Sequence, residues 1–351
     1  MVERIILPTP PALVERGIPH AGFFEKPFRI ANILDSKKPG RLLPGRLGYV
    51  FRLLRLKSWI GFGLGHPSLY GAILVQNAHY VAGCGSYFYF PDTGKKYDWS
   101  IVTLPWRVRM PDTLWNARLV CEDRRNSVLF EHCLEKGYHR IKASFAGEND
   151  TPPLQIDLML HQPLDQIDPL VFSMPIKPAH HTYTHKSPVR LEGTVRIGGD
   201  TFEYTPERDL GNLDEQLTYY PYLTRWRWAS FATRIDTGRE IMINLVNQMT
   251  PPEEPGEDAL WIDGKIRLLN PAAITPAGSP GRYEIRSADG GIDLVFTAEG
   301  SRREKHQLIL AAMDYYQYFG RFQGQVKDPV DGQTYRIRDV YGPLEDMRAR
   351  F

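Results

Sequence analysis

The chain reads as an all-β protein, and three observations carry that reading. Gly and Pro are abundant, at 30 and 28 of 351 residues, and aromatic residues make up 12%; many short strands joined by tight turns call for that mixture. Segments of alternating polarity recur along the chain, each bounded by turn residues. Gly-containing turns then punctuate the second half at the spacing of a barrel or sandwich. A chain of 351 residues predicts two domains of roughly 150 residues each.

Residues 1–45 are rich in proline and scattered basic groups and read as an extended arm. A short helix is expected next, because Leu47, Val50, Phe51 and Leu54 recur at helical spacing among Arg46, Arg52 and Arg55. A basic amphipathic helix of this kind can lie on a membrane surface, so peripheral membrane contact is the most the pattern allows. From Leu56 onward the pattern is that of strands, clearest in segments 68–76, 79–90, 97–110, 115–124, 127–135, 138–146 and 154–163. In the last of these Leu154, Ile156, Leu158 and Leu160 alternate with Gln155, Asp157 and Met159, as in a half-buried strand. The first half therefore reads as an antiparallel meander over 46–185.

The Pro- and His-rich passage 174–188 is the expected seam. Beyond it, over 186–351, turns are signalled at Gly198 to Asp200, Ile235 to Gly238, Trp261 to Lys265, Ser287 to Gly291 and Pro329 to Gly332. The tail, GPLEDMRARF, is expected to close the chain with a short helix.

Several function classes lose support. With 43 basic against 41 acidic residues and a net charge of +2, the chain lacks the electrostatic footprint of a nucleic-acid binder. Cys84, Cys121 and Cys133 have neither an even count nor CxxC spacing, which predicts free thiols in a reducing compartment. No secretory signal and no long apolar span is evident, so a cytoplasmic location is expected. The glycines of GFGLG at 61–65 lack the strand-turn-helix context of a dinucleotide fingerprint, and neither GxSxG nor a P-loop occurs. No cofactor is therefore called for. His180, His181 and His185 have HHxxxH spacing, but that makes one face only on a helix, and the flanking Thr, Tyr and Pro residues favour extended chain; no metal is expected.

The stretch from Asp209 to Ser230 concentrates chemistry. In RWRWAS a period of two puts Trp226 and Trp228 on one face of a strand and Arg225 and Arg227 on the other. This run, followed by REIMINLVNQ, EDALWIDGKIRLL, GIDLVFTAEGSRRE, YYQYFGRFQGQV and VYGPLEDMRARF, resembles the bacterial family named only as domain of unknown function 2804, over essentially residues 40–351. That family is in turn similar to lipocalin-like (calycin) proteins that include carotenoid hydratases, AttH-type proteins and fungal pericyclases. The resemblance implies two lipocalin-like antiparallel β-barrels packed side by side, with a mostly apolar cavity. In the hydratases an Asp and aromatic residues on neighbouring strands are implicated in adding water to a double bond. The counterpart implied here is Asp214, ahead of Trp226 and Trp228, although that passage holds no counterpart of the hydratases' His.

The residues give each candidate two readings. Trp226, Trp228 and Trp261 either plug a barrel or wall an apolar site that stabilises positive charge. Asp214 is a general acid if buried, or a turn residue bonded to backbone. Tyr219 and Tyr220 are relay candidates, only one of which can face a cavity. Glu257 is a second acid candidate or a loop carboxylate. Asn244 and Asn247 interrupt the strand carrying Ile241, Ile243 and Leu245, and a polar amide there must find partners. Arg225, with Arg227 and Arg208, either binds an anion or forms a solvated outer face or pairs with acids across strands. The expected function is a cofactor-independent enzyme acting by proton transfer on a hydrophobic molecule, isoprenoid, polyene or polycyclic, in hydration, dehydration, isomerisation or cyclisation. The alternative is a non-catalytic carrier of such a ligand.

Overall fold

The computed structural model describes residues 4–37, 39–40, 43, 45–247, 256–307 and 312–350. The chain forms two compact units, one of Ile6–Tyr219 and one of Met1–Ile5 with Tyr220–Phe351. The division thus falls after Tyr219, not at 174–188.

The first unit begins with four short strands, β1 (Ile6–Leu7), β2 (Val14–Glu15), β3 (Ile18–Pro19) and β4 (Gly22–Phe24), followed by helix α1 (Gly45–Arg55). The arm is therefore built into the fold, with β4 pairing β13 (Leu170–Lys177) once that strand is formed. Between them run β5 (Leu56–His66), β6 (Leu69–Asn77), β7 (Ala82–Phe90), β8 (Lys95–Thr103), β9 (Ala117–Glu122), β10 (Ser127–Cys133), β11 (Tyr138–Phe145) and β12 (Leu154–His161). After β13 come β14 (His180–Ile197), β15 (Asp200–Tyr204) and β16 (Leu210–Tyr219). The main path, β8-β7-β6-β5-β16-β14-β12-β11-β10-β9, curls into a nearly closed barrel.

Alternation fills it. Phe62, Ile73, Phe130, Ile141, Leu158, Val189 and Leu213, all buried, form one continuous core from seven strands. A smaller core packs Leu13, Val14, Phe28 and Ile33 of the arm with Tyr183 and Tyr219. The expected seam is instead a hairpin of β13 and β14, because the β-formers Thr182, Tyr183 and Thr184 extend the chain there. Pro175 is accommodated at a register shift between the two strands, where a missing N–H does least harm.

The second unit holds β17 (Leu223–Arg234), β18 (Glu240–Asn247), β19 (Ala259–Ile262), β20 (Lys265–Leu268), β21 (Ala272–Pro276) and β22 (Arg282–Ser287), then three long strands, β23 (Ile292–Gln307), β24 (Ala312–Lys327) and β25 (Thr334–Arg350). In the order β20-β19-β18-β17-β25-β24-β23-β22-β21 they make a half-barrel around Ala229, Phe231, Ile243, Leu245, Phe296, Phe322 and Leu344. The fold is thus all-β with two calycin-like sheets, as expected. Each anticipated turn joins two strands. Asp263 and Gly264, with φ of 49° and 79°, give the β19–β20 hairpin the left-handed pair that a two-residue turn requires.

The tail is not helical. Residues 341–350 continue β25, which is paired on one side with β17 and on the other with β24. A helix there would forfeit both ladders, which outweighs the local helix propensity of Glu345 to Ala349. Among the described residues no helix is long and apolar enough to cross a membrane.

Candidate functional site

Five polar side chains occupy positions on or beside the strands where the alternation calls for apolar ones. His132 follows Val128 and Phe130 on the inner face of β10, and His139 precedes Ile141 and Ala143 on that of β11. Gln162 stands just beyond β12 in phase with Leu158 and Leu160, His185 is in phase with Val189 on β14, and Glu215 with Leu213 on β16. All five are buried. Register brings them together, since His132 is paired with His139 and His185 with Glu215.

They form one hydrogen-bonded chain. Glu215 Oε2 lies 3.3 Å from His185 Nδ1, and His185 Nε2 lies 3.0 Å from Gln162 Nε2. Gln162 Oε1 is 2.8 Å from His139 Nε2, and His139 Nδ1 is 3.0 Å from His132 Nδ1. With the amide so oriented, every proton is assigned: Gln162 Nε2 donates to His185, so His185 carries its proton on Nδ1 and donates to Glu215. Gln162 Oε1 accepts from His139 Nε2–H, so His139 Nδ1 accepts from His132 Nδ1–H. His132 Nε2 is left as a buried lone pair with no hydrogen-bond partner, its ring stacked 6.4 Å from Phe62.

Reversing the Gln162 amide reverses every bond. Glu215 then donates a carboxyl proton to His185 Nδ1, and His132 carries its proton on Nε2. With Glu215 ionised in the first arrangement and protonated in the second, the second holds one more proton. The chain therefore has two polarities that differ by a single proton at Glu215.

Burial sets which groups hold protons. It pushes the Glu215 carboxyl up to about 8, helped by the negative charge of Asp214. Burial lowers His185 to about 3 and His139 to about 4, and takes His132 well below its usual range. Near neutrality the imidazoles are neutral and Glu215 holds its proton, a carboxylic acid kept as a donor by its surroundings.

A cleft of about 620 Å³ opens in the same unit, with Arg29 and Trp115 in its wall. The Arg29 guanidinium lies 3.8 Å over the Trp115 ring and pairs with Glu135. Leu134, Gly137 and Pro163 also line it. They are close chain neighbours of His132, His139 and Gln162, and Gln162 N bonds Gly137 O at 2.7 Å.

Asp214, the acid favoured by sequence, lies in strand β16 and not in a turn. Strand parity sends it to the face opposite Glu215, where it pairs with Lys186 at 2.7 Å with 18% of its side chain exposed. It belongs to the first unit, whereas Trp226 and Trp228 belong to the second. Tyr219 and Tyr220 are divided likewise: Tyr219 donates to Ile33 O beneath the arm, and Tyr220 stacks on Trp226 at 5.4 Å. Arg208 pairs with Asp209 in the first unit.

In the second unit the structure does assemble the tryptophan face. Trp228 Nε1 donates to Asn244 Oδ1 at 2.7 Å, and Asn244 Nδ2 donates to the Glu257 carbonyl at 2.7 Å. Trp226 Nε1 donates to Glu345 at 3.2 Å, and Glu345 also receives Tyr315 OH at 2.5 Å and Gln317 Nε2 at 3.0 Å. Trp261 and Glu257 are buried. Beside Glu257, burial pushes the Asp258 carboxyl up to about 8. Asn244→Ala is expected to lower stability by about 1–3 kcal/mol, the cost of stranding buried polar partners, and Trp228→Phe by less; urea unfolding of both variants checks this.

Arg227 is buried and so not on a solvated face, whereas the Arg225 side chain is 39% exposed. Arg227 shares the core side with Ala229 and Phe231, bonding Asp346 at 2.9 Å and Ile274 O at 2.8 Å. Arg225, on that side too, is 3.9 Å from Asp346 and its pKa is lowered by burial. Asn247 makes one long contact, 3.5 Å, to Ala272 O.

Fold and site together define a two-unit, calycin-like β protein with a titratable chain inside its first barrel. The chain belongs to the family described as domain of unknown function (DUF2804), which matches residues 12–351. Among solved structures it is similar to an AttH protein of Nitrosomonas europaea, with TM-score 0.53, 13% identity, and coverage of 88% of this chain and 95% of that one. CghA with Sch210972 gives TM-score 0.49 at 13% identity, and kievitone hydratase of Nectria haematococca gives 0.48 at 11%, each covering 84% of this chain and 88% of the other. At these identities the AttH likeness speaks to the fold alone. No curated protein matches.

Proposed function

We propose that the protein is an enzyme that moves a proton on a hydrophobic small molecule, of isoprenoid, polyene or polycyclic type, in hydration, dehydration, isomerisation or cyclisation. The observation that carries this reading is the buried Glu215 carboxyl, raised to about 8 and joined through His185, Gln162 and His139 to the unpartnered Nε2 of His132. In the proton-loaded polarity His132 Nε2–H faces outward from the chain. It gives its proton to an alkene carbon, whose π pair forms the new C–H bond. The proton is replaced along the chain: His139 Nδ1–H passes to His132 Nδ1, Gln162 Nε2–H to His139 Nε2, His185 Nε2–H to Gln162 Oε1 and the Glu215 proton to His185 Nδ1, which leaves Gln162 as its imidic-acid tautomer and Glu215 as carboxylate. Water attacking the resulting cation, or loss of a neighbouring proton, returns one proton to the chain, giving hydration or isomerisation respectively. The cleft beside Leu134, Gly137 and Pro163 is the proposed berth for the substrate. As proposed, the reaction calls on no cofactor, because the proton is the protein's own. In this reading Asp214 acts through its charge on Glu215.

The test is deuterium transfer. Lipid extract of the host is incubated with the protein in heavy water and recovered for mass spectrometry. At least one component should gain deuterium with the wild type, and both Glu215→Gln and His132→Phe should lower the rate by about 100-fold or more, the usual worth of general acid catalysis. A carrier is the second reading, favoured by the gathering of Trp226, Trp228, Tyr220 and Asn244. A retained molecule in native mass spectrometry, with no deuterium gained by any component, would establish that reading and overturn the first.

A further inference from the structure

Helix α1 wears its apolar stripe outward. Leu47, Val50, Phe51 and Leu54, at i, i+3, i+4 and i+7, share one face of the helix, and all four are exposed, Leu47 to 65%. The side that meets the protein is carried by Gly48, whose added Cβ would meet Leu43 O at 2.6 Å, and by Arg52, which donates to Leu34 O. This inverts the usual order for a helix of a globular protein, so the stripe is not a core face.

The stripe continues beyond the helix. Lys57 Nζ bonds the Leu54 and Leu56 carbonyls at the helix end and lies 4.9 Å over the Tyr80 ring. Asn77, at the start of the same turn, donates to Pro105 O and Val108 O. These contacts place three segments along one edge of the first unit, and each presents large apolar groups. Tyr80 and Val81 are exposed, as are Leu104 and Trp106, the last to 70%. Large apolar side chains exposed together along one edge mark an interaction surface.

Charge identifies the occupant. No Asp or Glu occurs between Asp35 and Asp92, while the same interval contains seven basic residues, of which Arg52 and Lys57 are turned to the protein itself. Arg46 on α1, and Arg107 and Arg109 beside Trp106, are exposed. A basic surface with protruding Leu, Val, Phe, Tyr and Trp side chains matches the chemistry of an anionic bilayer, whose headgroups take the charge and whose interface takes the aromatic rings. We propose that this edge docks the protein onto membrane surfaces rich in anionic lipid. The inference is independent of the proposed reaction.

The experiment is vesicle co-sedimentation of the full chain, with phosphatidylcholine vesicles alone or containing about a third phosphatidylserine. Binding to the anionic vesicles should exceed binding to the neutral ones by about 10-fold and weaken as salt is raised. Val50→Glu with Leu54→Glu should reduce it about 10-fold with an unchanged melting temperature, because both side chains are exposed. Trp106→Ser, at a separate element, should weaken it too and covers the case in which the helix variant fails to fold. Absence of binding to anionic vesicles, or equal binding by wild type and both variants, overturns the proposal. So does a concentration-dependent dimer that the helix variant abolishes, which would assign the stripe to a second copy of the chain.

Discussion

Arg227→Met should destabilise the second unit by about 3 kcal/mol, at the lower end of the cost of breaking a buried ion pair. The guanidinium bonds Asp346 and the Ile274 carbonyl from the core side of β17. Its removal leaves a mostly buried carboxylate whose remaining cations, Arg225 and Arg348, each stand 3.9 Å away, too far to replace the lost hydrogen bond. The methionine fills much of the space, so the loss is electrostatic. Adding Asp346→Asn should recover most of it, and chemical unfolding of the two single variants and the double variant closes the cycle. Equal loss in single and double variants would show that Arg227 acts through packing alone.

A second large effect concerns acid and base. Glu215 is raised from 4.5 to about 8 in the folded state. Its contribution is fully present below about pH 4.5 and is lost as pH climbs to about 8, because only the unfolded chain releases the proton cheaply in that window. The histidines act with opposite sign. His185 and His139 are depressed from 6.5 to about 3 and about 4, so their contribution is present above pH 6.5 and lost as pH falls toward those values. The two trends oppose each other between about pH 4.5 and 6.5. Above that window Glu215 is opposed in the first unit by Lys57, which burial lowers from 10.5 to about 7 and whose contribution is lost as pH falls toward that value, so the Glu215 trend is read as the difference from Glu215→Gln; Asp258 follows the same course as Glu215 in the second unit. Glu215→Gln should therefore gain stability relative to wild type between about pH 5.5 and 8.5, by a few kcal/mol at the alkaline end. Melting temperatures across that range for wild type, Glu215→Gln and Asp258→Asn separate the two carboxyls. A wild-type profile parallel to that of Glu215→Gln would mean that Glu215 is ionised throughout.

Much of the architecture was legible because it is local. Strands 127–135, 138–146 and 154–163 announce themselves by alternation and lie within two residues of β10, β11 and β12, and turns such as Asp263–Gly264 are set by the conformations their own residues allow. The parity of Trp226 and Arg227 was legible for the same reason. Which face met the core was not. That depends on Ala229 and Phe231 further along β17, whose phase the arginines share. The stretch around Asp214 has the Asp, Gly and Asn of a turn, yet pairing with both β14 and β5 holds it straight. The helix expected at the tail yielded to pairing in the same way. The buried chain was hidden by distance in sequence, because its members at 132, 139, 162, 185 and 215 become neighbours only through register. A faint signal existed: His132, His139 and Glu215 each interrupt the apolar phase of an otherwise regular strand.

The pairing of β5 with β16 joins residues 56–64 to residues 211–219. Strands β5 to β8 are neighbours in sequence and zip up as they are made, yet one margin of β5 stays bare until Tyr219 has been synthesised. During translation that margin is a template for mispairing, and closing so long a loop is slow. Biogenesis, more than equilibrium stability, thus sets the hazard for this chain, and fragments ending before Leu210 should collect in inclusion bodies unless a holdase shields the waiting strand.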